Sequence, residues 1–223
     1  MSGSVGEKDP IKLEMAKLLK SALVEMSLEV DDEKQQKLLD YVALIHKWNQ
    51  VHNLTAVREQ RDMITLHILD SLSVLPYIAC RSLLDVGAGA GLPSIPLAIC
   101  TPELQITAID AVQKKVSFMR QAKAQLRLTN FNVVNGRVED QNVEQLNVGK
   151  KFEVIISRAF SEIGLFIKLT KHLIAEDGKW LAMKGVIPED EFKKSGIKPA
   201  DITVLKVAGL DAKRHLITVR AIY

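Results

Sequence analysis

Three glycines at every second position, Gly87, Gly89 and Gly91, interrupt the stretch LLDVGAGAGLPSIPLAI, residues 83–99. No other feature constrains the fold of this chain as strongly. A run of strand length ends in residues without a Cβ, and a helical pattern opened by Pro93 follows at once. Glycine reaches the left-handed backbone region without steric penalty and lets other groups approach the main chain. Strand, glycine turn and helix in this order form the opening unit of a parallel α/β sheet, whose ligands sit at the carboxyl ends of the strands.

The rest of the chain divides around this stretch. Before Cys80 the patterns are helical: residues 11–26, then DDEKQQKLLDYVALIHKWNQV from Asp31, then DMITLHILDSLSVL from Asp62. In the second of these, Leu38, Val42, Ile45 and Trp48 recur at helical spacing behind an acidic start that suits an N-cap. After Cys80, short apolar runs alternate with helical ones: SLLDV, PSIPLAI, LQITAID, VQKKVSFMRQAKAQLRL, FNVVNG, KFEVIIS, IGLFIKLTKHLI and GKWLAMKG. Such alternation implies right-handed crossovers and a mainly parallel sheet covered on both faces. The last two runs, ITVLKVA and RHLITVRAIY, have only a short connection and suit an antiparallel pair at the edge. The expected organisation is a helical extension over residues 1–80 packed on an α/β core over residues 81–223.

Composition adds limits. The 223 residues are 47% hydrophobic and 26% charged, ordinary for a globular protein, and the net charge is only +3. No apolar run approaches the roughly 18 residues of a spanning helix, and the N-terminus lacks a signal-peptide pattern, so a cytoplasmic protein without a membrane partner is expected. Cys80 and Cys100 are read as reduced thiols, and no metal-ligand spacing occurs among the cysteines and the five histidines.

Two cofactor classes use a glycine turn of this kind. The dinucleotide fingerprint G-x-G-x-x-G needs a third glycine for close packing of the helix. Here that position is Leu92, and the pattern, led by Asp85, is D-x-G-x-G-x-G. That form resembles motif I of the class I methyltransferases, which bind S-adenosylmethionine. Asp110, which closes the next strand ITAID, is placed to accept hydrogen bonds from both hydroxyls of an adenosine ribose. A nicotinamide-dependent oxidoreductase remains an alternative reading, as does a non-catalytic RNA-binding module of the same fold.

The methyl acceptor is constrained by what is missing. Neither cysteine follows a late strand, where a pyrimidine-carbon methyltransferase keeps its nucleophile. The fourth strand is followed by SRAF, residues 157–160, rather than by an N-P-P-Y type motif. A heterocyclic nitrogen such as guanine N7 carries a free lone pair at neutral pH and needs no general base. Alignment of two bound reactants can then supply up to roughly 7–11 kcal/mol of the barrier reduction.

Basic residues cluster where a polyanion would bind. Residues 111–130 contain Lys114, Lys115, Arg120, Lys123 and Arg127 and no acid, with the last three spaced as one helical stripe able to track phosphates. Arg137, Lys184 and Arg214 join the expected RNA contacts; Arg137 and Lys184, like Arg158 but unlike Arg214, fall at or just after expected strand ends, near the ligand edge of the sheet.

Several motifs together resemble the ribosomal small-subunit methyltransferase G family, RsmG, also called GidB. These are KWNQVHNLTA (residues 47–56), HILDSL (67–72), DVGAGAGLPSIPLAI, GRVED, ISRAF, MKG and RHL, in family order from about Leu38 to the C-terminus. The resemblance implies a Rossmann-like class I fold with a seven-stranded, mostly parallel sheet. It also implies transfer of a methyl group from S-adenosylmethionine to N7 of a guanine in the 530 loop of bacterial 16S rRNA, naked or in a small-subunit particle. Cofactor contacts carry over to Gly87, Leu92, Val138, Glu139 and Arg158, with Arg158 beside the methyl donor and the entering base as the catalytic residue. Ala90 and Ser94 stand where proline and glycine are frequent in the family. A monomer is expected, and Trp48, Asn53, His67 and Asp70 are expected to be structural.

Overall fold

The computed structural model describes residues 10–146, 148–158, 160 and 162–221. Ala159 of the ISRAF motif and the last two residues of RHLITVRAIY lie outside them. The chain opens with helices α1 (Pro10–Glu25) and α2 (Asp32–His52), joined through Asp31, whose carboxylate accepts the Lys34 N–H at 2.8 Å as an N-cap. Asn53 ends α2 in the left-handed region, φ 46°. The next helical segment is not regular. A turn of α-helix, α3 (Gln60–Met63), passes into a π-helical stretch, Ile64–Leu69, and returns to one α-turn, α4 (Asp70–Leu72).

The core follows as β1 (Ser82–Val86), α5 (Ser94–Cys100), β2 (Gln105–Asp110), α6 (Gln113–Gln125), β3 (Phe131–Asn135), β4 (Phe152–Ser157), α7 (Ile163–Thr170), β5 (Ile174–Lys184), α8 (Glu189–Ser195), β6 (Asp201–Leu205) and β7 (Arg214–Arg220). The strands form one seven-stranded sheet in the order β3-β2-β1-β4-β5-β7-β6. The first five are parallel, and β7 inserts antiparallel between β5 and β6. The expected class I architecture and its antiparallel edge are thus both present. Pro93 differs by one position from its expected place: it is the cap of α5, and Ser94 is the first helical residue.

Alternation along the strands sorts side chains to two faces. Leu83, Ile106, Ala108, Val154 and Ile156 join a core that also holds Leu19 and Leu23 of α1, Leu38 and Tyr41 of α2, and Phe118 of α6. Leu84, Ile109 and Ile155 point the other way, against Phe166 of α7 and Trp180. Both faces are covered, which is why these strands read as near-continuous apolar runs. The N-terminal helices reach the glycine turn itself: the Tyr41 hydroxyl donates to the Ala90 carbonyl at 2.6 Å. Cys80 and Cys100 are free and half-buried, and burial pushes their thiols up to about 11 and about 12. No helix among the described residues is long and apolar enough to cross a membrane.

Sheet order reverses between β1 and β4, the first of which leads on to β2 and the second to β5. A crevice at the carboxyl ends of the two strands that flank such a reversal is the usual ligand position in open α/β sheets. The glycine turn follows β1, and Arg158 follows β4.

Candidate functional site

The turn owes its shape to its glycines. Gly87, Gly89 and Gly91 have φ of 70°, 62° and 86°, so each alternate residue is left-handed. The main chain is held from below: the Gly87 and Ala88 N–H groups donate to the Ile109 carbonyl, and those of Gly91 and Leu92 to the Ala88 carbonyl. The three glycines nevertheless do different work. A Cβ on Gly87 would meet nothing within 4 Å, and one on Gly89 only the Gly87 carbonyl at 4.0 Å. A Cβ on Gly91 would lie 2.5 Å from Ile95 Cδ1, so this glycine lets α5 pack against the turn. The first two glycines leave main chain facing open space, a cradle that side chains would fill and that suits the methionine portion of S-adenosylmethionine.

The acids around the turn also divide. Asp110 is 6% exposed; one carboxylate oxygen accepts the Gly89 N–H at 2.9 Å, the other the Val112 N–H at 2.8 Å, and Lys115 Nζ lies 3.8 Å away. A carboxylate offers about four acceptor positions, so this anchoring leaves capacity for a ribose hydroxyl. Asp85, by contrast, is fully buried beneath the turn, where Oδ2 accepts the Ser94 N–H at 3.3 Å. The structure therefore makes Asp85 a support for the turn rather than a group facing its open side. Val138 and Glu139 form the short 3-10 turn Val138–Asp140 just past β3, with Val138 buried and Glu139 open to solvent. Leu92, 4% exposed, belongs to the core edge of the turn.

Burial pushes the Asp85 carboxyl up to about 7, against the lowering influence of Ser94 and Arg158. Burial, with Arg158 nearby, pushes the His67 imidazole down to about 4. Between pH 3.8 and 7 folded Asp85 holds a proton that the unfolded chain releases, so its contribution to stability declines as pH rises. His67 has the opposite sign between pH 4 and 6.5, because there the unfolded chain binds the extra proton. The two slopes offset each other in wild type. Asp85→Asn is expected to uncover the His67 slope: relative to wild type, its unfolding free energy should fall on acidification by up to roughly 1.4 kcal/mol per pH unit below neutrality. Urea titrations at several pH values measure this, and parallel wild-type and variant profiles would place Asp85 at an ordinary carboxylate value.

Beside the turn lies a cleft of about 440 Å³ lined by Leu66, His67, Asp70, Arg158, Lys184 and Arg214, among others. Arg158 enters from the end of β4, one strand from Gly87, and the neighbouring Ser157 hydroxyl donates to the Val86 carbonyl at 2.8 Å. Its Nη1 donates to the Leu66 carbonyl and to Asp70 Oδ2, both at 3.1 Å. Arg214 Nε donates to Asp70 Oδ1 at 3.0 Å. Lys184 Nζ donates to the Phe160 carbonyl at 2.9 Å and lies 3.7 Å from Glu191. His67 Nε2 meets the Thr55 hydroxyl at 2.9 Å.

A family model with the description rRNA small subunit methyltransferase G (GidB) matches residues 34–217. The chain belongs to this methyltransferase G family. Relatives carrying the name ribosomal RNA small subunit methyltransferase G include one from Methylobacillus flagellatus, 59% identical, with 91% of this chain and 97% of the relative covered. Another, from Laribacter hongkongensis, is 47% identical, with 89% and 95% covered. Among solved structures, a SAM dependent methyltransferase from Aquifex aeolicus superposes with a TM-score of 0.52 at 17% identity, over 71% of this chain and 93% of that one, and supports the fold.

For a methyltransferase G chain, the cleft gathers residues that are far apart in sequence. Arg214 joins Arg158 and Lys184 because β7 runs antiparallel, so that its first residue lies at the carboxyl edge of the parallel strands: His215 pairs with Lys184. His67 and Asp70, expected to be structural, line the cleft. Their spacing of three residues on a helix, which stacks side chains on one face, was the available signal. The expected basic stripe is not continuous. Lys114 and Lys115 lie at the carboxyl edge, while Lys123 lines a separate cavity at the amino ends of the strands, with Arg81, Lys150 and Phe152. Arg127 lies beyond the end of α6 with φ 54°, so it is off the helical stripe, and Arg120 is exposed midway along it. Arg137 is open to solvent, 3.6 Å from Glu139.

Proposed function

We propose that this protein transfers the methyl group of S-adenosylmethionine to N7 of a guanine in the 530 loop of small-subunit rRNA. The observation that carries the reading is the adjacency, at the β1/β4 reversal, of an open glycine cradle and a cleft holding two arginines and a lysine. When bound, the cofactor supplies an electrophilic methyl group on a sulfonium. Gly87 and Gly89 seat its methionine portion, Asp110 accepts from the ribose, and Val138 and Glu139 flank the adenine. Arg158 contacts the entering nucleotide.

Among the described residues, no acid or base in the cleft is set up to remove a proton at neutral pH. His67 is held neutral with a weakly basic imidazole, and Asp70 is buried and ion-paired with two guanidiniums at once. Guanine N7 requires no such removal, so the chain's task reduces to holding two reactants in line. The protein is taken to act in the bacterial cytoplasm as a monomer built of a helical extension, residues 1–80, and a catalytic core, residues 81–223. Its substrate is the rRNA itself or a small-subunit particle.

Incubation with labelled S-adenosylmethionine and small-subunit rRNA, naked and as subunits, tests the reading. Nucleoside mass analysis should find 7-methylguanosine; label in another nucleoside would replace the acceptor and leave the cofactor assignment standing. An RNA strand leaving the cleft along α6 meets Arg120 before Lys123. The double variant Arg120→Ala, Lys123→Ala should therefore flatten the salt dependence of RNA binding by about 0.7 for each single-strand phosphate that it no longer neutralises. An unchanged slope would make both residues part of a solvated helix face.

A further inference from the structure

Asp70 is 3% exposed, at the point where the π-helical stretch returns to α-helix. It divides its two oxygens between guanidinium groups from two different strand ends, those of β4 and β7: Oδ2 takes Arg158 Nη1 at 3.1 Å and Oδ1 takes Arg214 Nε at 3.0 Å. The Leu66 carbonyl, in the π-helical stretch, takes the second proton of the same Arg158 nitrogen at 3.1 Å. A guanidinium carries five N–H donors. Arg158 spends two of them in these contacts, and Arg214 spends two, on Asp70 and on the Lys213 carbonyl at 3.1 Å. Among the described residues, three donors on each planar group remain uncommitted beside the cleft.

We propose that Asp70 is a positioning residue that fixes Arg158 and Arg214 as a paired fork for the phosphodiester next to the methylated nucleotide. The inference rests on the methyltransfer reading given above. Methylation of a neutral ring nitrogen carries the positive charge of the sulfonium onto the base, so cations pressed against the base edge would oppose the reaction. The same cations on the adjoining phosphate bind the nucleotide without that opposition, and planar forks match phosphate oxygens in a way a flexible ammonium does not. Asp70 also lowers the charge of the cleft by one. Its loss should leave two cations freer to bind RNA but no longer held in the geometry that aligns the base.

This predicts opposite movements of binding and turnover. Asp70→Asn should bind an rRNA fragment at least as tightly as wild type, with a salt slope steeper by about 0.7 for each additional phosphate neutralised. Its kcat should fall at least about tenfold while its affinity for S-adenosylmethionine stays within about twofold. Unchanged kcat would overturn the proposal. So would a parallel loss of RNA affinity, cofactor affinity and turnover, the mark of a merely structural role. Arg158→Lys and Arg214→Lys keep the charge and lose the fork; they decide the matter if Asp70→Asn cannot be obtained folded. Each should lose at least about tenfold in kcat with RNA affinity within about threefold of wild type, and full turnover in both would overturn the proposal. Wild-type protein that methylates no rRNA would instead remove the underlying reading, and the fork with it.

Discussion

Gly89→Val is expected to abolish S-adenosylmethionine binding in a protein that still folds. The residue has φ 62°, a region that a β-branched side chain rarely adopts, and holding valine there costs on the order of 1–3 kcal/mol. Its Cβ would project into the open space above the turn, with only the Gly87 carbonyl at 4.0 Å. The fold therefore loses little packing, while the cradle is filled. Affinity measured by calorimetry should drop by more than about a hundredfold, equivalent to at least ~2.8 kcal/mol. Gly91→Ala gives the contrast. Its Cβ would strike Ile95 at 2.5 Å, so it should destabilise the fold by about 1–3 kcal/mol while the folded fraction keeps its cofactor affinity. Wild-type affinity in folded Gly89→Val would move the cofactor site away from the turn.

Arg158→Ala should cost far more in turnover than in stability. Asp70 keeps Arg214 at 3.0 Å after the substitution, so no buried carboxylate is left without a cation, the situation that makes a broken buried pair so destabilising. What disappears is a set of donors at the junction of the cradle and the cleft. Hydrogen bonds to charged groups contribute about 1.5–3 kcal/mol each, so losing one to the bound nucleotide slows turnover by about one to two orders of magnitude. Steady-state methyl transfer beside thermal unfolding measures both quantities. A variant with normal kcat and a lowered melting temperature would return Arg158 to a structural role.

Much of this architecture is legible in the order of the residues. The alternating runs after Cys80 announce the parallel sheet, because a strand buried on both faces must be apolar at nearly every position. The helix from Asp31 is visible in its apolar spacing and its acidic cap, both local properties of the chain. The turn is legible because glycine alone adopts left-handed backbone without steric cost, and here it recurs at three alternate positions. The π-helical stretch Ile64–Leu69 is not legible, since its residues carry the same apolar pattern as an ordinary helix.

Local pattern alone points to a place where a ligand could approach the main chain, at the carboxyl end of the first strand, and shows which residue types border it. It does not settle which of those residues share a site. Only the folded chain shows that Gly91 packs a helix while Gly87 and Gly89 face open space, since that depends on Ile95 and on nothing in the spacing of the glycines. Only the antiparallel insertion of β7 brings Arg214 to Arg158, and only the packing of the N-terminal helices places Asp70 between them. Backbone conformation and burial are set by near neighbours and leave a mark in local pattern. A charge pair between residues 88 or 144 positions apart leaves none, because its geometry exists only once the strands and helices have chosen their order.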